Sequence, residues 1–211
     1  MTTTSSLLAW HRRSAAVIAL FALSHIVNHL VSLAGVAAHL RWMDGARLLY
    51  RQPLVESVLL ACVALQTASG LWFVVRGWKR RLGLVPRLQA VSGAYLALFL
   101  LAHVGAVLYG RAILHLDTNF YYAAAGFHVQ PWGLLFGPYY FLGVLALFTH
   151  LGCAAYRYGR HQTARVRKLL LGLPILLGGV AALLIVLSLD GRIEPVDMPA
   201  EYKATFQDKP S

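Results

Sequence analysis

Along this chain the apolar positions do not alternate, and they do not form narrow stripes. They run together in five blocks, roughly residues 15–38, 57–75, 88–110, 132–156 and 169–189, none of which contains Asp, Glu, Lys or Arg. A helix that crosses the hydrocarbon core of a bilayer needs about 20 such residues, so each block predicts a membrane-spanning helix. A β-barrel would need period-two alternation, which is absent. The first block is too long for the 7–15-residue core of a cleavable leader, and no small-residue cleavage site follows it cleanly. The expected fold is therefore an all-α integral membrane protein, a five-helix transmembrane bundle over residues 1–190. Residues 191–211 carry Pro195, Pro199 and Pro210 among mixed charges and read as an exposed, loosely ordered C-terminal tail.

Charge then orients the spans. Arg12, Arg13, Arg76, Lys79, Arg80, Arg81, Arg87, Arg157, Arg160, Arg165, Arg167 and Lys168 all fall on one side, with no acid among them. The opposite side holds seven positive charges and all eight acids. Positively charged loops stay in the cytoplasm, which predicts a cytoplasmic N-terminus, a C-terminus outside, and a multi-pass protein of the cell inner (cytoplasmic) membrane. Membrane topology thus accounts for the net charge of +11, which in a soluble chain would point to nucleic acid. Trp10, Trp42, Trp78 and Trp132 lie near span ends, as an interfacial belt requires. Segment 111–131 is long enough to fold back over the outer face. Two cysteines, Cys62 and Cys153, with no CxxC or CxxCH motif, exclude a disulfide scaffold and covalent c-type haem. No span combines a nucleophile and a base in a hydrolase motif.

The candidate chemistry lies in the histidines. His11, His39, His115, His128 and His161 fall outside the blocks or at their ends, where solvated or interfacial roles are expected. His25, His29, His103 and His150 are inside spans, where polar side chains are costly and usually functional. At 1.5 Å rise per residue, His25 lies about 16 Å and His103 about 22 Å from the cytoplasmic ends of their spans. Facing imidazoles at similar depth can hold iron from both sides of a porphyrin. His29, one turn beyond His25 and roughly on the same face, is the rival ligand or a polar neighbour of the same site. His150 lies about 9 Å from its cytoplasmic end, and the polar group at comparable depth on span two is Gln66, at about 14 Å. An amide oxygen is a poor ligand for haem iron beside imidazole, so the histidines supply one complete pair and one incomplete pair. Gly70, Ser92-Gly93, Gly105 and Gly143 accompany these positions; small residues allow close helix packing and leave room for a flat macrocycle.

Four stretches carry a family resemblance: HRRS at 11–14 followed by FALSHIVNHL, then ALQTASGLWF, LQAVSGAYLALFLLAHV and LGVLALFTHLGCAAY. In order and spacing they resemble the first four helices of the succinate dehydrogenase and fumarate reductase cytochrome b membrane-anchor subunit, of the single-chain, five-helix, di-haem type. The likeness covers roughly residues 8–156, and span five matches only in hydrophobicity. It implies a haem b-binding anchor that passes electrons between an iron–sulfur subunit, itself served by an FAD flavoprotein subunit on the cytoplasmic side, and a membrane quinone, usually menaquinone. Carried over by position, His25 and His103 match the distal haem pair and His150 the fourth ligand. Gln66 stands where the family has a histidine, which leaves the count at one haem or two. Glu56, at the outer mouth of span two, and His29 are candidates for proton exchange with the quinone. Two other readings stand beside this one. In the first, the chain is a cytochrome b of another quinone-linked dehydrogenase. In the second, it is a haem-free membrane scaffold derived from the same fold, with Gln66 a lost ligand. Lipid is the expected surround in every case, and no nucleic acid is expected.

Overall fold

A computed structural model describes residues 2–207 of the chain. It is 84% helical, without strands among the described residues, and five of its helices are long and apolar enough to cross a membrane. These are α1 (Thr2–Val31), α3 (Pro53–Gly77), α4 (Leu84–Ala112), α6 (Gly133–Tyr158) and α7 (Ala164–Leu189). Three shorter helices, α2 (Val36–Tyr50), α5 (Phe120–Ala124) and α8 (Ala200–Lys203), lie between or after them. The five expected spans are all present, with their ends adjusted.

The largest adjustment is in the first span. Residues 15–38 read as one block, but Gly35 adopts φ 101°, a left-handed conformation open to glycine. The helix stops at Val31, passes through one 3-10 turn, and restarts as α2 with Val36. Apolarity alone does not mark this end, because the residues on both sides of Gly35 are equally hydrophobic. At the other end α1 begins well before residue 15, so Arg12 and Arg13 lie on the helix. Elsewhere the ends follow local rules. Pro53 occupies the first turn of α3, where its missing N–H costs nothing. Thr163 caps α7, its Oγ1 accepting from the Val166 N–H.

Neighbouring spans pack in the order α1, α3, α4, α6, α7, and α7 returns to touch α1. The bundle has two ends. One, the basic end, carries the start of α1 and the short α3–α4 and α6–α7 connections. The other carries α2, segment 113–132 and the segment after Asp190. Here the molecule keeps a buried apolar core: Phe120, Ala124, Ala125 and Phe127 from segment 113–132, Val144 from α6, and Ala181, Ala182, Ile185 and Leu189 from α7. As expected, segment 111–131 folds back as a cap.

The tail departs from expectation. Met198 and Tyr202 are buried and join this core. The Tyr202 hydroxyl donates to the Asp117 carbonyl and accepts from Asn119 Nδ2, both at 3.1 Å. Phe206 packs edge-on against Phe136, and its carbonyl accepts from the Trp132 indole N–H. Proline spacing and mixed charge suggested a loose extension, but the aromatic residues among them have an apolar cap to bury against. Residues 208–211, with Asp208 and Pro210, lie outside the described residues.

Candidate functional site

Four spans, α1, α3, α4 and α6, surround a cavity of about 1610 Å³. That exceeds the roughly 300–1,000 Å³ of an ordinary small-molecule site. The cavity is lined along its length by His25, His29, Gln66, His103 and His150, which the sequence singles out, and also by His11. These histidines sort into two levels.

At the level nearer the cap, α1 and α4 bring His25 and His103 together with ring centroids 6.0 Å apart. Each imidazole lies nearly parallel to a phenyl ring one turn earlier on its own helix: His25 on Phe21 at 5.8 Å and His103 on Phe99 at 5.2 Å. Stacking of this kind restricts the ring without using its nitrogens. His29 follows one turn after His25, with its Nε2 3.2 Å from His25 Nε2. It is buried, and its Nδ1 has no partner.

Beyond it stands His39, the first correction to the histidine assignment. This residue is not solvated. It is 2% exposed, and its ring centre lies 5.2 Å from that of His29 and 5.3 Å from that of Phe120. Its Nδ1 is 2.9 Å from the Asn28 carbonyl, which can only accept, so Nδ1 carries the proton. Burial pushes the His39 imidazolium down to about 4, against the upward pull of that carbonyl. The Gly35 break made this possible, because it folds α2 back against α1; the sequence signal was the glycine itself. His103, His25, His29 and His39 thus form a continuous polar line from the cavity towards α2.

At the basic level the second correction appears. His11 is half-buried on α1, not a solvated terminal residue. Its Nδ1 lies 2.7 Å from Ser69 Oγ and its Nε2 lies 3.1 Å from Gln66 Nε2. Ser14, buried one turn further along α1, donates to Gln66 Oε1 at 2.8 Å. Ser69 in turn donates to the Leu65 carbonyl. The donor directions form one consistent chain: Ser14 to Gln66, Gln66 to His11 Nε2, His11 Nδ1 to Ser69, Ser69 to the backbone. Gln66 therefore faces α1. Across the cavity, His150 sets its Nδ1 3.1 Å from the Gln89 carbonyl and 3.3 Å from Ser92 Oγ, which leaves the unprotonated Nε2 as its acceptor.

Glu56, in the first turn of α3, is hydrogen-bonded to Arg111 at the far end of α4, at the cavity mouth. Nearby, Arg47 of α2 pairs with Asp117 at 2.7 Å. Burial alone would raise the Asp117 carboxyl, but hydrogen bonds and charge from Arg47, with Arg51, outweigh it and hold it below the usual range. Of the remaining histidines, His161 stands at the basic edge of the cavity lining, and His115 and His128 lie apart from it. His115 and His161 are exposed, and His128 bonds the Leu189 carbonyl at 2.9 Å. Cys62 and Cys153 are free thiols.

Among the described residues no group of three or more His, Cys, Asp or Glu side chains is placed to enclose a metal ion, so an all-protein centre of the zinc type has no ligand set. A pair of imidazoles suits a metal that brings its own equatorial ligands. Two metal–imidazole bonds of roughly 2.0 Å, plus half a ring on each side, put ring centroids about 6 Å apart; the His25–His103 spacing agrees with that value. Of His25 and His29, it is His25 whose ring lies against that of His103. No family model matches the chain, no curated protein is significantly similar to it, and no solved structure matches it.

Proposed function

We propose that this chain is a membrane cytochrome b, the haem-bearing anchor of a succinate:quinone oxidoreductase-like complex. The observation that carries the proposal is the His25–His103 pair, 6.0 Å between ring centres, inside a large cavity walled by four apolar helices. Bound there, haem b would supply one-electron transfer at a potential set by its axial ligands and surroundings. The protein's own contribution is to hold two imidazoles in place against Phe21 and Phe99. Glu56 and the line of His29 and His39 lie towards the cap, where a quinone near the membrane surface would exchange protons. The basic end, with twelve positive charges and no acid in its segments, suits docking of an iron–sulfur subunit that hands electrons on from a flavoprotein.

The test is a reduced-minus-oxidised spectrum of the purified chain from haem-sufficient cells, with haem per polypeptide measured as pyridine haemochrome. At least one low-spin b-type haem is expected, and His25→Ala and His103→Ala should each remove it. Protein without haem, or unchanged haem content in both variants, defeats the reading. Co-purification of an iron–sulfur protein and a flavoprotein with the tagged chain from its own membranes tests the assignment to a dehydrogenase complex.

A further inference from the structure

The basic half of the cavity contains a second pair of imidazoles, and neither is used by the pair already described. We propose that His11 and His150 are the axial ligands of a second haem b, with Ser69 and the Gln89 carbonyl positioning them and Gln66 acting as a spectator. This rests on the haem-binding reading above and extends it to a site where α1, not α3, supplies the partner of His150.

Several observations converge. Both side chains line the same cavity. Each sits against a Ser-Gly step of a neighbouring helix. His11 meets Ser69 through Nδ1, and a Cβ on Gly70 would stand 3.6 Å from its ring. His150 meets Ser92 through Nδ1, and a Cβ on Gly93 would stand 3.0 Å from its ring. Serine sets the imidazole orientation, and glycine gives the ring room to lie flat against the helix.

The tautomers also match. A histidine that ligates a metal through Nε2 usually donates its Nδ1–H to a carbonyl or hydroxyl. His150 does so to the Gln89 carbonyl. His11 does so within the Ser14–Gln66–His11–Ser69 chain, where its Nε2 lone pair is met by one amide N–H on a flexible side chain. Ligation exchanges that one bond and leaves the Nδ1 bond in place. The two levels are well separated. His11 precedes His25 by fourteen residues on α1, about 21 Å of rise, and Gly93 precedes His103 by ten on α4, about 15 Å. Two porphyrins therefore do not compete for one space.

The experiment measures haem per polypeptide and the spin state of each haem in the whole purified chain, by pyridine haemochrome and low-temperature electron paramagnetic resonance. Wild type should hold about two low-spin haems. His11→Gly should lose one low-spin signal, and added imidazole should restore it, which a merely structural role would not allow. His11→Met, which fills a similar volume and keeps a ligating atom, should retain two haems, with the potential of one raised. Gln66→Leu should retain two low-spin haems. One haem in wild type, lost in His25→Ala but unchanged in His11→Gly and His150→Ala, overturns this inference and leaves the cytochrome reading intact. Loss of the second haem in Gln66→Leu but not in His11→Gly also overturns it, since Gln66 would then be the ligand. No haem in wild type overturns both.

Discussion

The two sides of this bundle use the same small residue for opposite ends. Along the α6–α7 seam, glycine brings helices into contact. A Cβ on Gly152 would stand 2.8 Å from the Leu171 carbonyl oxygen, and one on Gly178 would stand 2.3 Å from Phe148 Cβ. No side chain fits there, and the helices meet nearly backbone to backbone, as membrane helices do when dispersion is the main attraction. Across the cavity of α1, α3, α4 and α6, glycine does not join helices. Gly70 and Gly93 each face a histidine ring, and Gly143 faces the ring of Phe99, which is stacked on His103. One side is a closed seam that fixes the shape; the other is held open around polar groups. A glycine in a membrane helix therefore has meaning only together with what faces it.

The strongest way to break this contrast is to add one methyl group on each side. Gly178→Ala places its Cβ against Phe148 Cβ, an atom that cannot swing away. Overpacking of this kind costs about 1–3 kcal/mol or more, expected as a fall of roughly 5 °C in the melting midpoint in detergent. Gly70→Ala makes only ordinary contact with His11 and should shift the midpoint by less than about 1 °C. Equal losses in the two variants would erase the distinction between seam and cavity.

A second prediction concerns the residue shared by both regions. His39 touches Phe120 of the capped core and His29 of the cavity line. Its folded value of about 4 lies below the ordinary 6.5. The unfolded chain therefore binds a proton before the folded chain does. Stability from this group is full above pH 6.5 and is lost as pH falls from 6.5 towards 4, by at most about 3 kcal/mol. His39→Gln should flatten that part of a thermal-melt pH profile. An unchanged slope would mean that the loss arises elsewhere.

The smallest effect is expected at the tail. Tyr202→Phe removes the hydroxyl that bonds Asp117 and Asn119 and should cost about 1 kcal/mol. Protease nicking after Asp190 should become faster while the spectrum of any bound haem stays the same. A changed spectrum would show that cap and cavity are not independent.

Much of the fold was legible in the sequence, because uncharged runs of about 20 residues have few alternatives in lipid. The levels of His25 and His103 followed from helical rise. What composition could not supply was the role of single breaks and partners. Gly35 ends α1 inside an apolar block and turns His39 inward. His11 sits beside two arginines and so looks like part of a solvated terminus, yet the helix starts early enough to carry it into the cavity. Gln66 was correctly placed in depth, but depth does not say which neighbour a side chain meets, and it meets α1. The tail misled because its prolines and charges outnumber the Met198, Tyr202 and Phe206 that anchor it.

The anchoring of that tail has a consequence for the order in which the molecule is made. Met198, Tyr202 and Phe206 close over Phe120, Trp132 and Phe136, on a surface that also takes in α2. They emerge from the ribosome after all five spans. The end of the bundle formed by the first and third chain reversals therefore stays uncovered until those three residues have been made. The residues that seal it all follow α7 in the chain.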